Sequence, residues 1–168
     1  MFLKFLPLVL FWIFISNYSL YAQHGAKPEL EITASLNFGL NEGYPLGGFG
    51  SNAKGLWRVG KGNDAIVATL GFDRLYDEFA FDAYSYNFLL TSAGYRKRIN
   101  NLFIEPKLGI GLGNDFDEDS FTGFIGVEPG IEKKQFRFSL DYRFISSGGL
   151  IEGDHFHTLA FRVGYRIF

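Results

Sequence analysis

No cysteine occurs anywhere in the 168 residues of this chain. A lipid anchor on an N-terminal cysteine is therefore excluded, and the absence elsewhere is compatible with export without requiring it. A charge excess of either sign is also missing. The 16 Lys and Arg stand against 18 Asp and Glu, a formal net charge of −2, so electrostatics gives no reason to expect nucleic acid as a partner. Past the N-terminal segment, no apolar run reaches the roughly 18 residues of a spanning helix. No glycine loop shaped for phosphate and no zinc-ligand spacing stands out either. Methionine occurs once, whereas 20 Phe, 9 Tyr and 21 Gly are spread along the chain. That composition suits β-structure better than helix, and one domain is expected at this length.

The N-terminus reads as a targeting segment. Lys4 supplies a short positive region, Phe5 to Ile15 an apolar stretch, and Ser16 to Ala22 a lead to a small residue before Gln23. Eleven apolar residues would span roughly 16 Å as a helix, about half a hydrocarbon core. Residues 1–22 are therefore expected to be a cleaved signal peptide, 23–28 a short arm, and 29–168 the folded body.

Within that body, period-two alternation recurs between turn residues. The clearest instance is the end of the chain. Leu159, Phe161, Val163, Tyr165 and Ile167 alternate with Thr158, Ala160, Arg162, Gly164 and Arg166. Bulky apolar groups on one face and arginines on the other suit lipid outside and a polar interior. A lone strand cannot sit in lipid, because each unpaired amide costs on the order of 2–7 kcal/mol there. The remaining runs must close a barrel. They are expected at 29–41, about 50–59, 65–74, about 82–97, 102–114, 120–131, 136–144 and 157–168. The facing of the second is weakly defined, and the fourth is open between two choices. Either Tyr84, Tyr86, Phe88 and Leu90 face outward, or Leu89, Thr91, Ala93 and Tyr95 do. The links at 60–64, 98–101 and 132–135 read as short, and those at 42–49, 75–81, 115–119 and 145–156 as longer. Alternating short and long links over an even strand number imply an outer-membrane barrel with both termini periplasmic. Pro106 and Pro129 fall inside strands, where a bulge or a water-satisfied carbonyl is expected.

On these runs the body resembles the small eight-stranded outer-membrane barrels, such as the transmembrane domain of outer-membrane protein A and OmpX. The resemblance implies an all-β, eight-stranded antiparallel up-and-down transmembrane β-barrel in the bacterial outer membrane. Its expected partners are outer-membrane lipid and lipopolysaccharide, the barrel-assembly machinery and other outer-membrane proteins. The ending Gly164-Tyr165-Arg166-Ile167-Phe168 is similar to the C-terminal signal that the assembly machinery reads, with Tyr165, Ile167 and Phe168 in that role. It departs in phase, since Ile167 rather than Phe168 shares the apolar face.

The expected interior carries both signs. Glu31, Asp73, Glu105, Glu128 and Asp141 are acidic there, and Arg58, Lys107, Arg137, Arg143, Arg162 and Arg166 basic. Eight strands leave room only for side chains, so a salt-bridged plug is expected rather than a pore. The expected contacts are Lys107 with Glu128, Asp141 with Arg162, and Glu31 with Arg166, or with Arg162 if the strands are staggered. Trp57, Tyr142, Phe144 and Tyr165 suit interfacial girdles.

A competing class is an outer-leaflet lipid A acyl hydrolase or transferase, since 146–157 holds hydroxyls, carboxylates, His155 and His157. The chain lacks the His-x-Ser-Asn motif of the lipid A deacylases, and no catalytic set is assigned. The two histidines alternate and could share a face as a weak metal site. Acidic residues at 115–119 lack the glycine and terminal glutamate of a calcium loop, so no metal or cofactor is expected. A soluble lipocalin-type barrel would need an apolar interior, which the inward arginines oppose. The expected role is structural or interactive: membrane integrity, adhesion or service as a subunit of an outer-membrane complex.

Overall fold

The computed structural model describes residues 28–41, 44–59, 63–77, 85–115, 118–147 and 155–167. Residues 1–27, which hold the expected signal segment and the expected arm before Pro28, and Phe168 lie outside them. Eight strands follow in chain order: β1 Glu29–Asn41, β2 Tyr44–Arg58, β3 Ala65–Asp77, β4 Ser85–Ile99, β5 Leu102–Asp115, β6 Glu118–Lys133, β7 Phe136–Ser147 and β8 His155–Arg166. Each pairs antiparallel with its sequence neighbours, and β8 closes onto β1, with Glu31 opposite Arg166 and Gly39 opposite Thr158. Closure leaves no open edge, which is the condition for placing strands in hydrocarbon.

The registers define the stagger. Stepping between partners from Glu29 passes Leu56, Val67, Gly94, Lys107, Gly126, Arg143 and Thr158. It returns to β1 at Gly39, ten residues beyond Glu29. Such a stagger forces the strands to tilt by about 35–45° to the barrel axis. Residues opposite one another in the ladder are therefore not at the same depth, and this decides the ion pairs described below.

The pleat sorts side chains as the alternation implies. Outside, Leu36 is 61 % exposed, Leu108 66 % and Phe161 53 %, whereas Lys54, Arg96, Glu105 and Asp141 are all 0 % exposed inside. An apolar exterior around a charged interior is the inverse of a water-soluble barrel. The exterior is a lipid-facing belt. In the fourth strand the second choice of facing holds. Leu89, Ala93 and Tyr95 are exposed and Phe88, Leu90 and Arg96 are buried.

The connections differ from the sequence reading. Asn41 pairs with Tyr44 and Asp115 with Glu118, so at two of the four links read as long the paired strands extend until only two residues separate them. Polar and glycine-rich residues there continue the ladder, because backbone pairing does not need an apolar face beyond the bilayer. At the opposite end Ile99 pairs with Leu102 and Lys133 with Phe136. These turns place Asn100 at φ 56° and Lys134 at φ 58°, in the left-handed region that suits tight hairpins. Longer connections remain at 78–84 and 148–154, both at the end away from Glu29 and Arg166.

At the prolines the ladders show no bulge, the first of the two expected accommodations. No extra residue is inserted opposite either. The β6–β7 ladder runs Val127–Tyr142 and resumes in the same register at Gly130–Ser139. The β4–β5 ladder likewise skips from Gly94–Lys107 to Lys97–Ile104. Each proline stays paired on its other side, Pro106 with Val127 and Ile104 with Pro129. A missing N–H interrupts one ladder locally, and closure holds the register across the gap.

Leu108→Arg should impair assembly, since arginine at the midplane of a membrane barrel costs roughly 2–4 kcal/mol. Gly123→Ala, whose added Cβ would meet nothing within 4 Å, should assemble normally. The heat-dependent mobility shift on SDS gels reads both, and assembly of Leu108→Arg like wild type would deny Leu108 its place on the lipid-facing side.

Candidate functional site

The lumen holds a continuous chain of alternating charges. At its centre the Glu128 carboxylate meets Lys54 and Lys107 at 2.8 and 2.7 Å and Arg162 at 3.1 Å, and accepts the Ser139 hydroxyl at 2.8 Å. Asp141 lies 2.6 Å from Lys107, 2.6 Å from Arg162 and 3.2 Å from Arg143. Arg143 extends the chain to Asp73 at 2.5 Å. In the other direction Lys54 reaches Glu105 at 3.2 Å, and Glu105 meets Arg96 at 2.7 Å. Arg96 contacts Glu31 at 2.9 Å, and Glu31 faces Arg137 at 3.6 Å. Arg137 meets Glu132 at 2.8 Å and Glu132 meets Arg98 at 3.1 Å. Arg98 ends on Glu29 at 3.1 Å, which Arg58 and Arg166 share at 2.7 and 3.2 Å.

Strand tilt accounts for four of these pairings. The ladder partners of Glu29, Lys107, Arg162 and Arg166 are Leu56, Gly126, Ser139 and Glu31. Their ion partners are Arg58, Glu128, Asp141 and Glu29, each displaced by two residues along the neighbouring strand. Tilting lowers one strand against the next by a little over one residue per step, and the inward-facing parity rounds this to two. The expected pair of Glu31 with Arg166 is corrected on this ground. The two are ladder partners, but Arg166 reaches Glu29 and Glu31 reaches Arg96 and Arg137.

All eleven interior charges singled out in the sequence, Glu31, Asp73, Glu105, Glu128 and Asp141 with Arg58, Lys107, Arg137, Arg143, Arg162 and Arg166, belong to this chain. Lys54, Arg96, Glu29, Glu132 and Arg98 are additional members. Arg96 was hidden by the open facing of its strand, although Tyr95 outward places Arg96 and Arg98 inward. Its guanidinium also lies 4.3 Å from the centre of the Phe103 ring, a favourable cation–π geometry. Lys54 shares by alternation the face of Arg58, opposite Trp57 and Val59, but the polar residues before it leave that face weakly marked.

A second layer is apolar. Leu75, Phe88, Leu90, Phe124 and Ile145 form a buried inward cluster with Phe156 packed on it, at the end of the lumen away from the chain termini. A Cβ on Gly109 would collide with the Phe124 ring, and one on Gly111 with Leu90. The bare backbone there seats the cluster. A smaller buried cluster of Leu56, Ala65 and Val67 accompanies the ionic chain at the other end, so the interior is not polar throughout.

On the outer surface near the same end, Tyr142 and His157 Nδ1 share a hydrogen bond of 2.6 Å. The Phe144 ring lies 5.1 Å from the His155 ring and 5.3 Å from that of His157. The phenyl ring accompanies both imidazoles, and among the described residues no group of three or more His, Asp or Glu gathers as a metal site. Ser146 is the ladder partner of His155, but it is only 1 % exposed.

No family model and no curated protein matches the chain. Solved structures do. The attachment invasion locus protein Ail of Yersinia pestis, solved with the heparin analogue sucrose octasulfate, matches 83 % of this chain and 97 % of its own at 17 % identity, with a TM-score of 0.53. Neisserial surface protein A (NspA) matches 83 % of this chain and 95 % of its own at 14 % identity, with a TM-score of 0.51. The fold is that of the small eight-stranded outer-membrane barrels. At such identities the likeness concerns architecture, and the side chains of the lumen must be understood from their own contacts.

Arg96→Ala leaves Glu31 only the more distant Arg137 and Glu105 only Lys54, and should lower unfolding stability by up to about 3–5 kcal/mol. Arg58→Ala, at a side chain 47 % exposed, should cost no more than about 1 kcal/mol. Urea titration of folded protein in detergent compares them, and equal losses would deny the ionic chain its structural role.

Outside the strands, Asp64 accepts from Lys97 at 2.8 Å, the Arg98 backbone N–H at 3.1 Å and the Tyr95 hydroxyl at 2.8 Å. The Lys97 hydrogen bond, aided by the other two donors, holds its carboxyl down to about 2 from an ordinary 3.8. A lowered carboxylate stabilises the fold above its unfolded value, and that contribution is lost as pH falls through the folded one. Asp64→Asn should therefore flatten the pH dependence of the unfolding midpoint between about 4 and about 2, which parallel titrations of variant and wild type would reveal.

Proposed function

We propose that this protein is an outer-membrane β-barrel with a structural or interaction role and a lumen closed to ions. The observation carrying this reading is the uninterrupted ion-pair chain from Asp73 to Glu29, topped by the apolar cluster around Phe124. Desolvated ions are stable there only when each meets opposite charges at close range, and that packing occupies the space a conduction path would need. The barrel presents lipid with a continuous apolar belt, and its role is exercised at its surfaces: membrane integrity, adhesion, or contact with lipopolysaccharide and other outer-membrane proteins.

Both chain ends are periplasmic in this reading. The support is that the longer connections, 78–84 and 148–154, lie at the opposite end, where external loops belong. The assembly machinery reads the last strand, with Tyr165, Ile167 and Phe168 as the signal. Tyr165 and Ile167 are exposed on the barrel exterior, and Tyr165 is steadied edge-on against Phe136 at 5.4 Å.

The lipid A-modifying alternative has the Ser146–His155 ladder pair in its favour. Burial of Ser146 stands against it, because a nucleophile must reach its acyl substrate.

Wild-type protein in planar bilayers should show no sustained conductance. Arg162→Ala should lower the unfolding midpoint without opening one, since Glu128 and Asp141 retain Lys107. Steady wild-type currents would overturn the closed-lumen reading. Lipid A mass spectrometry of a deletion strain should match the parent, and a shifted acylation pattern would favour the enzyme.

A further inference from the structure

Between the ionic chain and the apolar cluster lies a layer of buried polar atoms that neither satisfies. Ser35, Asn37, Asp73 and Thr158 are 6, 1, 3 and 2 % exposed. The Ser35 and Thr158 hydroxyls, both amide atoms of Asn37 and the Oδ1 of Asp73 have no hydrogen-bond partner within the protein. Buried polar atoms are nearly always satisfied, and each orphan is costly. These five are not scattered. Gly50 stands between Ser35 on β1 and Asp73 on β3 as ladder partner of both. A Cβ on Gly50 would encounter Asp73 Oδ1, Ser35 Oγ and Asn37 Nδ2 together. Thr158 opposes Gly39, next but one to Asn37 on the same inward face. The Asp73, Ser35 and Asn37 side chains thus converge over the bare backbone of Gly50.

We propose that Ser35, Asn37, Asp73 and Thr158 enclose a buried hydration site, holding ordered water in a chamber closed at both ends. The chemistry of the lining selects the ligand. The Asn37 amide nitrogen donates, its oxygen and Asp73 Oδ1 accept, and the two hydroxyls do either. An anion would need donors throughout, yet it would face the Asp73 carboxylate. A cation would need acceptors throughout and an uncompensated charge, yet Asp73 is already paired with Arg143 at 2.5 Å. Water donates and accepts, and polar cavities that offer several partners hold it. The seal is built into the same strands. Leu75 and Phe156, two residues along the inward face from Asp73 and Thr158, belong to the apolar cluster, and Arg143 leads into the ionic chain below.

The isosteric change Thr158→Val decides the matter by its sign. If the hydroxyl binds ordered water, its removal loses a hydrogen bond and the urea midpoint falls. If the chamber is dry, removal relieves an orphaned group and the midpoint rises. We expect a fall, and the same for Ser35→Ala. Nuclear Overhauser contacts between water and the Asn37 side-chain amide, measured on folded wild type in nanodiscs, provide a test that does not depend on a variant folding. Such contacts are expected, and their absence or a raised midpoint would overturn the proposal. Replacing sodium with choline should leave the wild-type midpoint unchanged. A sodium-specific rise would replace water with a monovalent cation and overturn it equally.

Discussion

Closure of the sheet is the constraint on which everything else depends. Lipid offers no partner for backbone N–H and C=O groups, so the last strand must return to the first. That return is made ten residues out of step, from Glu29 to Gly39. The stagger fixes the tilt, the tilt fixes which inward side chains share a level, and the levels determine the ionic contacts. Lys107 meets Glu128 rather than anything beside Gly126 for this reason, and Arg166 meets Glu29 rather than its ladder partner Glu31.

The narrowness that closure imposes also governs the energetics inside. Charges removed from water are tolerated only with close opposite neighbours, and no two-member pair would suffice at the centre. Glu128 therefore draws on three cations, and Asp141 on three. Glycines supply the necessary space. Gly126 and Gly164 sit beside Arg143 and Arg137, whose long stems a Cβ would crowd. Where the requirement for charge ends, the same arrangement of bare backbone seats Phe124 and Leu90 instead. One wall thus supports an ionic layer, a polar layer and an apolar layer in succession.

Much of this was legible residue by residue. Alternation identified the faces of β1, β3 and β5 to β8, because a pleat has only two sides and lipid tolerates only one kind of side chain. It failed for β4, where Tyr86, Phe88 and Leu90 are as apolar as Leu89 and Ala93. Both faces there are apolar, since the lumen itself turns apolar at that level. The missed Arg96 follows from that one ambiguity. Connection lengths misled for a different reason. Polar, glycine-rich segments resemble loops, but at 44–49 and 118–119 they extend hairpins through backbone pairing, which carries no signature in side-chain hydropathy. Of the two accommodations expected at the prolines, the bulge is absent, because closure from both sides keeps the register.

By itself the sequence determined that this protein is a membrane barrel of eight strands, which face of most strands meets lipid, and that both signs of charge enter the interior. Those properties follow from the order of apolar and polar residues along one strand at a time. Which carboxylate meets which cation, where the ionic layer yields to Leu75, Phe88 and Phe156, and how Ser35, Asn37, Asp73 and Thr158 come to surround one space were decided only by the tertiary structure. They depend on the stagger accumulated around the whole barrel, a quantity that no single strand contains.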